Sequence, residues 1–203
     1  MKVLLVNGSP HKEGNTYLAL KEVAKEIEKY GVETEIFHIG TGPVQGCIAC
    51  NKCHELGTCV FSGDVAMKLQ RKMQESDGFV FGTPTYYAGP NGTLCAILDR
   101  VFYSAGGCFR AKPASAIAVC RRGGATTALE RLEKYITIGE MPHISSQYWN
   151  IIYGRAPGEV LQDEEGLQTM RTLGKNMAHA VKNLPASECP KLDEQHKQTN
   201  FIR

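Results

Sequence analysis

Two groups of residues in this chain have the types and spacing for chemistry. The first is the run Gly8-Ser9-Pro10-His11-Lys12-Glu13-Gly14-Asn15-Thr16, just after a short apolar stretch at 3–6. A strand that ends in a glycine- and hydroxyl-rich turn and then opens a helix leaves backbone N–H groups free. The helix dipole favours an anion at that point. Ser9, Asn15 and Thr16 add side-chain donors, and His11 and Lys12 add positive charge. The run is neither G-x-G-x-x-G nor G-x-x-x-x-G-K-[ST], which argues against a tightly held dinucleotide and against a nucleoside triphosphate. A monophosphate is the expected guest, and an ordinary capped strand-to-helix turn is the competing reading.

The second group is Cys47, Cys50, Cys53 and Cys59, spaced C-x2-C-x2-C-x5-C. Four soft thiolates this close in sequence can wrap a cubic iron–sulfur cluster. The last gap is longer than in the bacterial ferredoxin run, and no proline follows. With His54 alongside, the same cysteines could hold zinc, and free thiols are the third reading. Cys95, Cys108, Cys120 and Cys189 stand alone and read as packing or surface thiols.

Two further turns carry candidate ligands. Gly82-Thr83-Pro84-Thr85-Tyr86-Tyr87-Ala88-Gly89-Pro90 sets two tyrosines between prolines that restrict the backbone. Its N–H groups can be held ready for a planar heterocycle on which Tyr86 or Tyr87 stacks. A tyrosine pair packed at a core edge is an equal alternative. In Cys120-Arg121-Arg122-Gly123-Gly124-Ala125-Thr126, Gly123 and Gly124 permit close backbone approach. Arg121 and Arg122 could meet a phosphate or the negative charge of a reduced ring, unless this is only a flexible surface turn. Asp99 and Arg100, in a predicted helix, read as packing or subunit contacts. His143, Tyr148 and Trp149 could rim a ligand or pack at an edge. There is no Ser/His/Asp triad and no convincing carboxylate pair, so no catalytic side chain is assigned.

These turns must be positioned by the elements around them. Apolar strand runs at 3–6, 32–39, 78–82, 114–120 and 144–153 alternate with helical patterns at 15–30, 64–76, 93–104, 128–136 and 164–184. Residues 40–63 form a loop rich in Gly and Cys. This alternation predicts an α/β three-layer sandwich, a five-stranded parallel sheet with helices on both faces. The expected order is the flavodoxin-like 2-1-3-4-5, which places ligands beyond the carboxyl ends of the strands. Residues 1–184 are expected to form one domain, with 185–203 a polar, mobile tail.

Composition narrows the class. The chain has 203 residues, 42% hydrophobic content and a net charge of +2, which gives no case for nucleic acid or an anionic membrane. No stretch has the roughly 20 apolar residues of a membrane span. A cytoplasmic location is expected, where thiols stay reduced.

The Gly-Ser-Pro…Gly-Asn-Thr turn, the Pro-Thr-Tyr-Tyr segment and the Gly-Gly turn resemble, in combination, the NADPH-dependent FMN reductases of the flavodoxin-like superfamily. The resemblance covers about residues 1–184. It implies FMN, with its phosphate on Ser9, His11, Gly14, Asn15 and Thr16. It places the isoalloxazine against Pro84, Thr85, Tyr86 and Tyr87, with Gly123 and Gly124 closing the far side. Many relatives carry Arg where this chain has His11. The cysteine spacing is similar to the compact motif of the iron-sulfur flavoproteins, which implies a [4Fe-4S] cluster on Cys47, Cys50, Cys53 and Cys59 near the flavin. The function so implied is an oxidoreductase that uses NAD(P)H to reduce bound FMN. Its acceptors would be a flavin, quinone, nitro or azo compound, a metal ion or a ferredoxin-like protein. A non-enzymatic electron carrier and a thiol-based redox sensor are the alternatives. By analogy the assembly is a homodimer or homotetramer.

Overall fold

The computed structural model describes residues 1–194, 197 and 199. Its strands are β1 (Lys2–Asn7), β2 (Glu33–His38), β3 (Gly78–Tyr86), β4 (Gly89–Pro90), β5 (Ala114–Cys120) and β6 (Ile151–Tyr153). Five of them lie parallel in the order β2-β1-β3-β5-β6, while β4 folds back antiparallel on the end of β3. The sheet therefore has six strands, not five, and the expected order 2-1-3-4-5 becomes 2-1-3-5-6. The extra strand is cut from the loop expected after residue 82, because β3 continues through Pro84-Thr85-Tyr86 before reversing. The strand expected over 144–153 shrinks to its last three residues, with only an isolated bridge between Ala114 and His143 before it. The Asn150 side chain bonds Ser115 Oγ (3.0 Å) and Ser146 Oγ (2.7 Å), while its carbonyl accepts from Ala118 N–H at 2.9 Å where the pairing of β6 begins.

The helices of eight or more residues are α1 (Asn15–Glu28), α3 (Val65–Gln74), α4 (Gly92–Ala105), α5 (Ala125–Ile138) and α6 (Glu164–Asn183); α2 (Cys53–Leu56) is a single turn. Side chains alternate across a strand, so each strand feeds two cores. Val3, Leu5, Val80, Ile117 and Val119 face α1 and α6. Leu4, Val6, Phe79, Phe81, Ala116 and Ala118 face α3, α4 and α5. Burial on both faces explains why these strands read as continuous apolar runs.

Helix starts separate into two kinds. Asp64, Asn91 and Asp163 accept backbone N–H bonds from Met67 (3.2 Å), Thr93 (2.7 Å) and Gly166 (2.9 Å), capping α3, α4 and α6. At α1 and α5 the N-cap residues are Gly14 and Gly124, and no side chain caps either helix. Those two open at the carboxyl ends of β1 and β5. The start of the tail is tied down, with Arg110 donating to the Pro190 carbonyl at 3.1 Å. The mobility expected for the rest of the tail falls largely on residues outside the described ones. Among the described residues no helix is long and apolar enough to cross a membrane.

Candidate flavin site and cysteine loop

From β1 the chain moves outward to β2 and returns on the other side as β3. The carboxyl ends of β1 and β3 thus open the crevice where doubly wound sheets take ligands. The first turn lies directly on β3, with Gly8 N–H donating to the Gly82 carbonyl at 2.8 Å. A Cβ on Gly8 would stand 2.6 Å from Leu94 Cδ2 and 2.7 Å from the Gly82 oxygen, so no side chain fits there. Asn7 shapes the turn from within. Its amide donates to the Lys12 carbonyl (3.1 Å) and its oxygen accepts from Ser9 N–H (3.1 Å). Ser9 Oγ accepts from His11 N–H at 3.1 Å, and the His38 ring meets the Ser9 carbonyl at 2.9 Å. Ser9 and Thr16 are buried, whereas His11 is exposed.

One expected donor is spent elsewhere. The Asn15 side chain donates to the Ala156 carbonyl and accepts from Gly158 N–H, both at 2.9 Å. It ties the turn to the segment after β6. What Asn15 offers to a ligand is its backbone, at the start of the uncapped α1. Asn7 was missed in the sequence reading; a buried Asn at the end of an apolar strand was its signal.

The second and third turns meet. Tyr87 and Ala88 take φ of 49° and 59° between the paired Tyr86 and Gly89. Two left-handed residues in a two-residue hairpin loop make a type I′ turn, usually filled by Asn-Gly. Holding non-glycine residues there costs about 1–2 kcal/mol each. The turn leaves the Tyr87 ring fully exposed and Tyr86 about half exposed. Gly124 has φ of 83°, and a Cβ on it would lie 2.8 Å from Ala88 Cα. Gly123 beside it faces open space. Arg121 lines an open pocket with Arg155 and Glu159. Backbone N–H bonds from Arg155 and Ala156 hold the Glu159 carboxyl below the usual range.

Thr85 Oγ1 is the sole buried side-chain polar atom without a hydrogen-bond partner among the described residues. Such an orphan costs about 1–3 kcal/mol. A polar-edged ring seated against Pro84 and Thr85 would supply its partner. With the uncapped α1 following the neighbouring strand β1, the residues at these strand ends fit FMN.

The cysteine loop leaves β2 at the same sheet edge and then runs along α4. Cys47, Cys50, Cys53 and Cys59 line one cavity together with Arg100 and Tyr103. Ala49 and Asn51 sit left-handed at φ of 52° and 58°. Asn51 is followed by right-handed Lys52, an alternation that turns N–H groups into a concave nest of the kind found at Fe–S sites. Ala49 N–H and Arg100 Nε–H donate to Cys47 Sγ and Cys59 Sγ, each at 3.4 Å. The donor set and its N–H environment therefore suit an iron–sulfur cluster. The sulfurs surround the cavity without converging: among the described residues no three His, Cys, Asp or Glu groups are placed to hold a metal ion. His54 tilts against the Tyr103 ring at 5.6 Å and is not among the residues lining the cavity. Arg100 and Tyr103 are eight and eleven residues along α4 from Gly92, so the helix rise sets them roughly 12–17 Å from the flavin end.

A parallel sheet with an anion-receptive turn at its switch point defines a flavodoxin-like α/β protein. The chain belongs to the NADPH-dependent FMN reductase family, whose model matches residues 1–155, and is by class an FMN-dependent oxidoreductase. It is 35% identical over 190 residues to an iron-sulfur flavoprotein of Methanocaldococcus jannaschii, covering 90% of this chain and 98% of the relative. An iron-sulfur flavoprotein of Archaeoglobus fulgidus is 33% identical over 204 residues, covering 92% and 100%. Among solved structures it is similar to RosB with a bound 8-demethyl-8-formylriboflavin-5'-phosphate intermediate. That likeness has a TM-score of 0.70 at 15% identity and covers 100% of this chain and 92% of RosB. FerB of Paracoccus denitrificans, an NAD(P)H:(acceptor) oxidoreductase, gives a TM-score of 0.67 at 18% identity over 91% of this chain and 98% of FerB. The two structural likenesses speak for the fold alone.

Proposed function

We propose that the protein reduces bound FMN with NAD(P)H and passes the electrons to a separate acceptor. The observations that carry this reading are an uncapped α1 following β1 and an orphaned Thr85 hydroxyl near the carboxyl end of the neighbouring β3. FMN, when bound, supplies the two-electron and one-electron chemistry that no side chain here provides. Its phosphate would rest on Ser9, His11, Gly14, Thr16 and the backbone of Asn15. Pro84, Thr85, Tyr86 and Tyr87 would seat the ring, with Gly123 and Gly124 on its far side. The exposed Tyr87 offers a stacking face to the incoming nicotinamide or acceptor. Acceptor classes that suit so open a site are a flavin, a quinone, a nitro or azo compound, or a ferredoxin-like protein.

Cys47, Cys50, Cys53 and Cys59 are assigned to a [4Fe-4S] cluster. The names of the two archaeal relatives and the nest around Asn51 support this. The cluster would let electrons leave singly. A homodimer or homotetramer would cover the exposed Tyr148 and Trp149. The test is an anaerobic absorption spectrum with FMN, iron and acid-labile sulfide counts. Yellow protein bleached by NAD(P)H is expected. Colourless protein that takes up no FMN overturns the reading, and flavoprotein that cannot oxidise NAD(P)H directly makes it a carrier instead.

A further inference from the structure

We propose that Arg100 is the positioning residue of the cysteine loop, fixing Cys59 and the loop backbone while keeping a permanent positive charge beside the four sulfurs. The inference rests on the cluster assignment above. Arg100 is the largest fully buried side chain among the described residues, although it sits on a surface-type helix pattern. An arginine that serves packing alone needs one carboxylate. This one directs its whole guanidinium at residues 45–64. Nη1 donates to the Gln45 carbonyl at 3.2 Å, Nη2 to the Phe61 carbonyl at 2.7 Å, and Nε to Cys59 Sγ at 3.4 Å. Both terminal nitrogens also meet the Asp64 carboxylate. Its plane lies over the Phe61 ring, 5.4 Å from the centroid.

The other side-chain bonds that tie the loop to α3 and α4 are single ones, such as Tyr103 hydroxyl to Asn51 Oδ1 (2.8 Å) and Thr58 hydroxyl to Met67 Sδ (3.3 Å). Its regular structure is the one turn of α2, and two of its left-handed residues, Ala49 and Asn51, are not glycines. A planar fork that takes two carbonyls, a carboxylate and a sulfur at once closes both ends of the loop onto α4. Asp64 offsets the buried charge only in part, because it is partly exposed and also caps α3. Arg100 is the only cation among the residues lining the cysteine cavity. A four-thiolate site is anionic and becomes more so on reduction. A buried cation with an N–H on one ligand sulfur therefore favours the reduced state and raises the potential.

The experiment compares Arg100→Gln and Arg100→Lys with the wild-type holoprotein. It measures FMN, iron and sulfide content, the cluster midpoint potential, and hydrogen exchange over 45–64. Arg100→Gln is expected to keep full FMN, lose iron several-fold relative to FMN, and move the potential of the remaining cluster to more negative values. Its exchange over 45–64 should rise about tenfold or more, with the strands unchanged. Arg100→Lys keeps the charge without the fork, so its loop should exchange as in Arg100→Gln while its potential stays nearer wild type. A purely structural role would not split the two readouts in this way. Wild-type iron content, potential and exchange in Arg100→Gln overturn the inference. If Arg100→Gln loses FMN as well, Arg100→Lys decides, and an unchanged loop and iron count there overturn it. A wild-type protein without iron overturns the cluster assignment instead. Exchange over 45–64 alone then judges Arg100, and no change on substitution refutes it.

Discussion

Replacing Thr85 with Val tests the flavin crevice, because the change should move two properties in opposite directions. Thr85 Oγ1 is buried and has no partner in the protein. Valine has nearly the same shape and suits a strand, so the substitution removes the unmet hydroxyl without opening a cavity. The apo protein should gain about 1–3 kcal/mol. For a chain of this size that is about 2–12 °C in melting temperature. With FMN seated as proposed, the hydroxyl would gain a partner in the ring edge, and its loss would remove about 0.5–1.5 kcal/mol of net hydrogen bonding. Relative to a stabilised apo state, FMN affinity should fall at least about 2- to 12-fold. Calorimetry of the apo protein and fluorescence titration with FMN measure the two effects. An apo melting temperature unchanged by the substitution, together with unchanged FMN affinity, would refute the argument that this hydroxyl waits for the flavin.

Gly124→Ala would force a Cβ to within 2.8 Å of Ala88 Cα at a φ of 83°. It should cost about 2–5 kcal/mol from left-handed strain and overpacking, and it should weaken FMN binding as the hairpin is pushed away; a melt and a titration check both. Lys112 donates from its ammonium to the carbonyls of Met73 (3.1 Å), Gln74 (3.0 Å) and Ser76 (2.7 Å), although burial pushes its pKa below the usual lysine range. Lys112→Met should cost about 1.5–3 kcal/mol and lower the melting temperature by about 3–12 °C, measured without FMN. Burial raises the Asp64 carboxyl, but the hydrogen bonds from Arg100 and from the backbone of Met67 and Ala66, with the Arg100 charge, together outweigh it and hold the group below its ordinary value. A carboxylate depressed in this way stabilises the fold above about pH 4 and loses that effect as pH falls through the lower folded value. The stability gap between wild type and Asp64→Asn, read from urea unfolding, should therefore narrow below pH 4; a gap independent of pH would count against the pair.

Much of this architecture can be read from local pattern. β5 spans Ala114–Cys120 as expected, because an unbroken apolar run flanked by Pro113 and Gly123-Gly124 leaves few other choices. The helices after 15, 64, 93 and 164 also follow their apolar spacing to within a residue or two. What escaped was set by tertiary partners or by unusual local chemistry. β4 was invisible because its turn is Tyr-Ala, without the Asn-Gly signature of such hairpins. The segment 144–150 carries Ile144, Tyr148 and Trp149, but it meets β5 at single backbone bonds, and the Asn150 side chain is taken by Ser115 and Ser146. Asn15 could be placed at the helix start, yet nothing nearby in sequence shows that its amide is taken by Ala156 and Gly158. Arg100 looked like any charge on a helix until the loop folded over it.

The bridge from Asn15 to Ala156 and Gly158 has a bearing on how the chain may be cut. The family match stops at residue 155, one short of the first partner. A fragment trimmed at that boundary would keep every residue of the amino-terminal turn and still forfeit the brace that steadies it, along with α6, which covers one face of the sheet. On the proposed reading, grip on the nucleotide tail would draw on nearly the whole polypeptide, and recombinant pieces chosen by family limits should be poor flavin binders.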